Sequence, residues 1–322
     1  LDVAVYDGER LIGRSGGMDP EGRVDPWSYF VNAYVLDRKG QRINRRNGQD
    51  IFVPLYDHQI PPGAADVVHY RMTLPDNIKG PVSIEVRLKY RKFDTEYLQH
   101  IQGDKFNGNS LPVTTMASDR IVLPVVNGLT IDTGTGSSIP EWERWNDYGI
   151  GLLREGNSGS SKGELRQAEQ VFKRVEAINP GQGALNLARV YFKEGRLDEA
   201  SAAIHRASQT RPPAPPWTLA WFSALIDHEN GHLDNAIESL ERIYDNQFET
   251  AAARGFDFSY DTNLLNELGR INFERARMER GKKRRQQREE FLQTSLLWFT
   301  RTLKIDPENK PAHYNLALVY AE

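Results

Sequence analysis

The sequence predicts an α+β chain of more than one domain, an antiparallel β-sandwich followed by an all-α solenoid. Three observations predict it. Residues 82–92 alternate, with Val82, Ile84, Val86, Leu88 and Tyr90 on one side and Ser83, Glu85, Arg87, Lys89 and Arg91 on the other, the period of a half-buried strand. Residues 184–212 instead carry apolar side chains at helical spacing, Leu187, Ala188 and Tyr191 and then Ala200, Ile204 and Ala207, on either side of Gly195-Arg196-Leu197. That pattern is two amphipathic helices folded back on each other. The third is recurrence: Ala168, Ala200 and Ala236 are separated by 32 and 36 residues, so the helical pair is one unit of a repeat.

The front part takes its strands from shorter alternating runs at 29–36, 67–74, 121–126 and 129–133. Turn chemistry separates them: Asp37-Arg38-Lys39-Gly40, Pro61-Pro62-Gly63, Asn77 to Pro81, and Asn127-Gly128. Several short strands so punctuated imply two packed sheets. Residues 132–140 are small and polar and end in proline, which is linker composition. The expected organisation is a β-sandwich over 1–135, a linker over 136–141 and a repeat superhelix over 142–322.

A first repeat opens with Trp145, Tyr148-Gly149 and Leu152, continues with Ala168, Phe172 and Val175, and has an enlarged turn over 155–163. The second is the pair described above. A third runs from Trp217 through a turn at Asn230-Gly231 to Ala236, Leu240 and Ile243, and a fourth from Leu264-Leu265 and Leu268-Gly269 to Phe299 and Pro307. Leu316-Ala317 and Tyr320 supply only the first helix of a fifth, giving about four and a half repeats. From Leu268 to Leu316 is 48 residues, 14 beyond a period of about 34. The excess falls in 274–290, a long helical hairpin with Gly281-Lys282 at its tip. Leucine, a small residue and an aromatic, then alanine, a bulky residue and proline, is an order that resembles the tetratricopeptide repeat, with Ala188 where glycine is usual.

The resemblance implies a superhelix with a concave face lined by the first helix of each pair. By register its exposed positions are Asn186, Arg189, Phe192, Trp221, Asn266, Arg270 and Phe273, the candidate partner-binding residues, together with Asn146, Ile150, Leu225, Tyr314 and Leu318. Asparagine offers a donor and an acceptor to a peptide backbone, arginine anchors a carboxylate, and aromatics give contact area at small entropic cost. Phe192 and Phe273 equally suit packing against the adjacent repeat. The paired lysines that grip a terminal carboxylate in some repeats of this class are not at matching places.

Within 274–290, eight of seventeen residues are Lys or Arg and four are Glu. Lys282, Lys283, Arg284 and Arg285 form a candidate basic patch for an acidic protein. The competing reading is a solvated hairpin steadied by pairs such as Arg285 with Glu289. No interleaved aromatics favour nucleic acid.

The phrase VPLYDHQIPPGAADVVHY at 53–70, with Tyr90-Arg91-Lys92-Phe93 and Gly16-Gly17-Met18-Asp19, resembles the region preceding the repeats in bacterial multihaem c-type cytochromes. That resemblance implies a periplasmic or extracellular location, with haem c elsewhere in the full-length protein or on a partner. It also opens an alternative, the C-terminal portion of an electron-transfer protein. The 322 residues contain no cysteine, so haem attachment, disulfides and thiolate chemistry are excluded from them. No cofactor or metal is expected in this chain. His58 and His69 lack the rest of a ligand set, and His228 and His232 straddle a turn.

Net charge is −3, with no global field to recruit nucleic acid or anionic membrane. No apolar run is long enough to span a bilayer, and the leading residues do not form a signal sequence. Beginning at Leu1 and ending within a helical pattern, the chain reads as a fragment or processed piece. No nucleophile elbow, phosphate loop or zincin pair is present. The expectation is a non-catalytic docking or assembly module for a protein partner or a neighbouring subunit, within a homo- or hetero-oligomer.

Overall fold

The computed structural model describes residues 1–124, 137–156 and 162–322. The chain divides into two compact units, Leu1–Pro140 and Glu141–Glu322. The strand expected at 129–133 and most of the enlarged turn at 155–163 lie outside the described residues.

In the first unit β1 (Asp2–Asp7) and β2 (Arg10–Ser15) form a hairpin turning at Gly8, whose φ of 59° suits a residue without Cβ. β3 (Ala33–Leu36) and β4 (Val53–Asp57) pair as a separate ribbon. β5 (Val82–Tyr90) is followed by α1 (Thr95–Gln102), whose N-terminus is capped by Asp94 accepting from the Tyr97 amide, and then by β6 (Thr114–Leu123). The main sheet is antiparallel in the order β2-β1-β5-β6. Register places Val3 opposite Val86 and Val5 opposite Ile84, one apolar face, and Asp2 opposite Arg87 on the other. On that second face the buried Asp2 carboxylate accepts from Arg14 Nε at 3.1 Å and from Lys89 Nζ. Burial alone would raise its pKa, but the two cations outweigh it and hold the carboxyl below the usual range.

The α+β expectation holds, but the described residues do not confirm a sandwich. Residues 67–74 alternate as a strand would but have no ladder partner among the described residues. Val68, Tyr70, Met72 and Leu74 instead lie across the apolar face of the sheet, around a cavity of about 660 Å³ shared with Val3, Val5, Ile84 and Val86. Met72 presses on β2 where a Cβ on Gly13 would stand 2.5 Å from its Sδ. The alternation therefore marks a covered face and not a hydrogen-bonded edge.

The second unit is helical: α2 (Glu141–Glu155), α3 (Lys162–Ile178), α4 (Pro180–Lys193), α5 (Leu197–Gln209), α6 (Pro216–Glu229), α7 (Leu233–Tyr244), the short α8 (Glu249–Ala253), α9 (Thr262–Met278), α10 (Arg285–Ile305) and α11 (Lys310–Ala321). The hairpins are α2–α3, α4–α5, α6–α7 and α9–α10, and α4 also touches both α2 and α6. Gly195 and Gly231 take φ of 72° and 79° at the tips of the second and third hairpins, the left-handed closure that ends a helix. None of the helices among the described residues is long and apolar enough to cross a membrane.

Four small residues set the depth of these hairpins. A Cβ on Gly149 would stand 2.5 Å from the Phe172 ring, and one on Gly269 would stand 2.6 Å from the Phe299 ring. In the second and third hairpins the same places hold Ala188 with Ile204 and Ala224 with Leu240, all buried. The larger ring thus goes with glycine and the smaller aliphatic group with alanine, conserving volume at the crossing. A buried position one turn before the bulky residue is Ala168, Ala200 and Ala236 in the first three hairpins and Ser295 in the fourth, where Ser295 Oγ donates to the Gly269 carbonyl at 2.7 Å.

This pairing predicts coupled energetics. Gly269→Ala gains about 1 kcal/mol of helix propensity but overpacks Phe299 at a cost of about 1–3 kcal/mol. Combining it with Phe299→Leu, which recreates the alanine–leucine pair of the third hairpin, is expected to recover stability. Urea unfolding of the two single variants and the double should give a favourable coupling energy of at least about 1 kcal/mol; additivity would show that the ring has room to move.

Candidate partner-binding face

The candidate face is built on α2, α4 and α6, of which α4 touches both others, with α9 carrying the corresponding positions later in the unit. Proline at the start of α4, with Asn179 accepting from the Gln182 amide, begins that helix where Asn186 can reach α2. Asn186 Nδ2 donates to Asn146 Oδ1 at 2.7 Å. Asn186 is 2 % exposed, so the exposure expected of it from register is corrected. Phe273 is buried as well, packed with Phe299, Ala312 and Val319, and belongs to the core of the fourth hairpin. In both cases a neighbouring first helix approaches closely enough to cover the position. Phe192 remains half-buried, its ring edge-on to Phe222 of α6 at 6.4 Å. Trp221 is also half-buried and packs against the core of the third hairpin.

The two arginines of the row differ in what surrounds them. Arg270 donates to Glu267 from Nε at 3.1 Å and Nη2 at 2.6 Å, lies 3.6 Å from Glu274, and reaches His228 Nδ1 at 3.2 Å. His228 in turn places Nε2 2.7 Å from Glu274 Oε2. Through its two ring nitrogens, one beside Arg270 and the other beside Glu274, His228 ties α6 to α9. Its role was not readable from sequence, because both partners lie on another helix.

Arg189 has no such company. It is half-buried, makes no ion pair among the described residues, and its buried Nε finds no hydrogen-bond acceptor. The guanidinium sits over the Phe222 ring at 5.3 Å. Burial lowers its pKa from the ordinary arginine value. One turn further on, Lys193 Nζ donates to the Leu153 carbonyl at 3.2 Å, and its pKa is lowered first by burial and then by the charge of Arg189. Arg196, at the tip of the same hairpin, shows the usual arrangement by contrast. It binds Glu199, Glu169 and Glu194 at 2.6–2.9 Å, which raise its pKa.

Residues 161–220 match the tetratricopeptide repeat family. The match spans α3 to the first turn of α6 and includes Asn186, Arg189 and Phe192. Among solved structures, the chain is similar to the crystal structure of MamA protein, with 14 % identity over 56 % of this chain and 81 % of that one and a TM-score of 0.37. It is similar to a human IFIT1 dimer with m7Gppp-AAAA, at 17 % identity over 56 % of this chain and 39 % of that one, TM-score 0.45. YrrB, described as a TPR protein with an unusual peptide-binding site, gives 19 % identity over 56 % of this chain and 79 % of that one, TM-score 0.35. No curated protein matches the chain. These findings give no support to the resemblance of the front unit to multihaem cytochromes. His58 there is stacked between Tyr29 and Tyr56 at 4.6 and 4.4 Å, and no group able to hold a metal ion occurs among the described residues.

Beyond the matched tetratricopeptide repeats, α9 and α10 extend to 17 and 21 residues and meet through Gly281, whose φ is 91°. The expected Arg285–Glu289 pair does not form; Glu289 accepts from Gln293 Nε2 at 2.9 Å instead. The hairpin is braced by Glu279, a buried carboxylate that accepts from Arg275 and from Arg284, the latter at 3.0 Å. Arg284 is therefore committed internally, whereas Lys282, Lys283 and Arg285 are exposed and make no ion pair among the described residues. Arg275 first, then Arg284, hold the Glu279 carboxyl below its usual range. A depressed carboxylate contributes above its ordinary pKa and stops contributing as pH falls through the lowered one. Hydrogen-exchange protection across 275–290 is expected to be high at about pH 7 and to drop below about pH 4, while Glu279→Gln should be poorly protected at both; a variant that titrates like the parent would assign the acid sensitivity elsewhere.

Proposed function

We propose that the helical unit is a non-catalytic docking module that holds an extended segment of a protein partner or neighbouring subunit against the face formed by α2, α4 and α6. The observation that carries this reading is the tetratricopeptide match over 161–220, in which helical pairs stack without closing on themselves. The chemistry of the face supports it. Asn146, held by Asn186 from beneath, presents an amide, Phe192 and Phe222 an apolar step, and Arg189 a cation, the mixture that binds a peptide backbone and its side chains. A location outside the cytoplasm, resting on the front unit's resemblance, is part of the same proposal.

Selection from a displayed library of random linear peptides against the full chain is expected to converge on a family of related sequences. Phe222→Ala should weaken a selected peptide about tenfold, the ~1.4 kcal/mol of one aromatic contact, with the helical circular-dichroism signal retained. Failure of any peptide family to emerge would remove the docking reading.

A further inference from the structure

Two sets of three residues on first helices occupy the same spacing and differ in charge. In α9 the residues three before and four after Arg270 are Glu267 and Glu274, and both pair with it. In α4 the residues three before and four after Arg189 are Asn186 and Lys193. The acidic partners that neutralise the arginine of the fourth repeat are thus replaced in the second by an amide and another cation. An arginine taken partly out of water without a counter-charge costs folding free energy, and among the described residues no acidic group offsets it: Nε has no acceptor, and Phe222 offers the face of its ring. The Asn186 Oδ1 atom is likewise buried without a donor.

Resting on the docking reading above, we propose that Arg189 is the specificity-determining residue of the face and takes the side-chain carboxylate of an Asp or Glu within the docked segment. A carboxylate is the planar monoanion that a guanidinium binds through two parallel N–H groups. It would complete in trans the pairing that Glu267 and Glu274 complete in cis for Arg270. Lys193, one turn along the same side of α4, adds positive potential, and the Phe192–Phe222 step beside it receives an apolar neighbour of the acidic residue. The carboxylate belongs to a side chain and not to a chain terminus, because the paired lysines of terminal capture are missing from the corresponding places.

The test uses the full chain and the peptide library with each peptide fused at its C-terminus, so that no free terminal carboxylate is present. Aligned peptides selected by the native protein should be enriched at least fivefold in Asp or Glu at one position. Arg189→Met, of similar volume without charge, should abolish that enrichment and raise Tm, since it removes a half-buried cation that has no counter-charge. Arg189→Lys should retain a weaker preference, and Arg211→Gln, a charge change outside the face, should leave it intact. Peptides that converge without an acidic position, or an acidic position that survives Arg189→Met, overturn the assignment while leaving docking in place. No convergence overturns both. Exchanging the selected acidic residue for phosphoserine should weaken binding; tenfold tighter binding would show that the site reads a dianion and overturn the carboxylate assignment.

Discussion

The helical unit depends on how closely the two helices of each hairpin can approach at one crossing. Dispersion falls steeply with separation, and overpacking is as costly as a void, so the sum of the two facing residues is constrained more tightly than either alone. Gly149 with Phe172 and Gly269 with Phe299 satisfy the sum one way, Ala188 with Ile204 and Ala224 with Leu240 the other. With that distance fixed, α4 comes into contact with both α2 and α6. Asn186 meets Asn146, and Arg189 meets the Phe222 ring, as a result.

Much of this architecture was legible in the sequence, because helical periodicity and the recurring alanines report directly on which residues face a partner helix. The turns at Gly195, Gly231 and Gly281 were legible for the same kind of reason, a backbone conformation that glycine adopts freely. Ser295 was not, since a serine at an alanine position acquires its meaning only from the Gly269 carbonyl opposite. The front unit was read less well. Alternation at 67–74 reports that alternate side chains are covered and says nothing about whether a neighbouring strand or a bare extended segment covers the sheet. The β1–β2 hairpin escaped because Val3-Ala4-Val5-Tyr6 is a continuous apolar run without alternation, and because the pairing of Asp2 with Lys89 spans strands far apart in sequence.

At the face, register identified the positions but not their condition. Asn186 and Phe273 lie where the pattern puts them yet are covered by neighbouring elements, which a single helical wheel does not represent. The contrast between Arg189 and Arg270 had a local signal, Glu-x-x-Arg-x-x-x-Glu against Asn-x-x-Arg-x-x-x-Lys, but its weight appears only when burial is known. Desolvation turns an ordinary surface cation into an unsatisfied one. The basic hairpin shows the reverse, since charge that looked available is partly consumed: Glu279 draws in Arg275 and Arg284 and leaves Lys282, Lys283 and Arg285 outward.

The two kinds of crossing also limit how such an array can change its length. Unequal recombination within the coding sequence joins the front half of one repeat to the back half of another, and the resulting chimaera inherits one residue of the crossing from each parent. Exchange between the first and fourth repeats, or between the second and third, returns a matched pair. A first–second exchange would set glycine against isoleucine in one product and alanine against phenylalanine in the other, one underfilled and one crowded. Exchange within either matched set therefore preserves the crossing, and exchange between the sets does not.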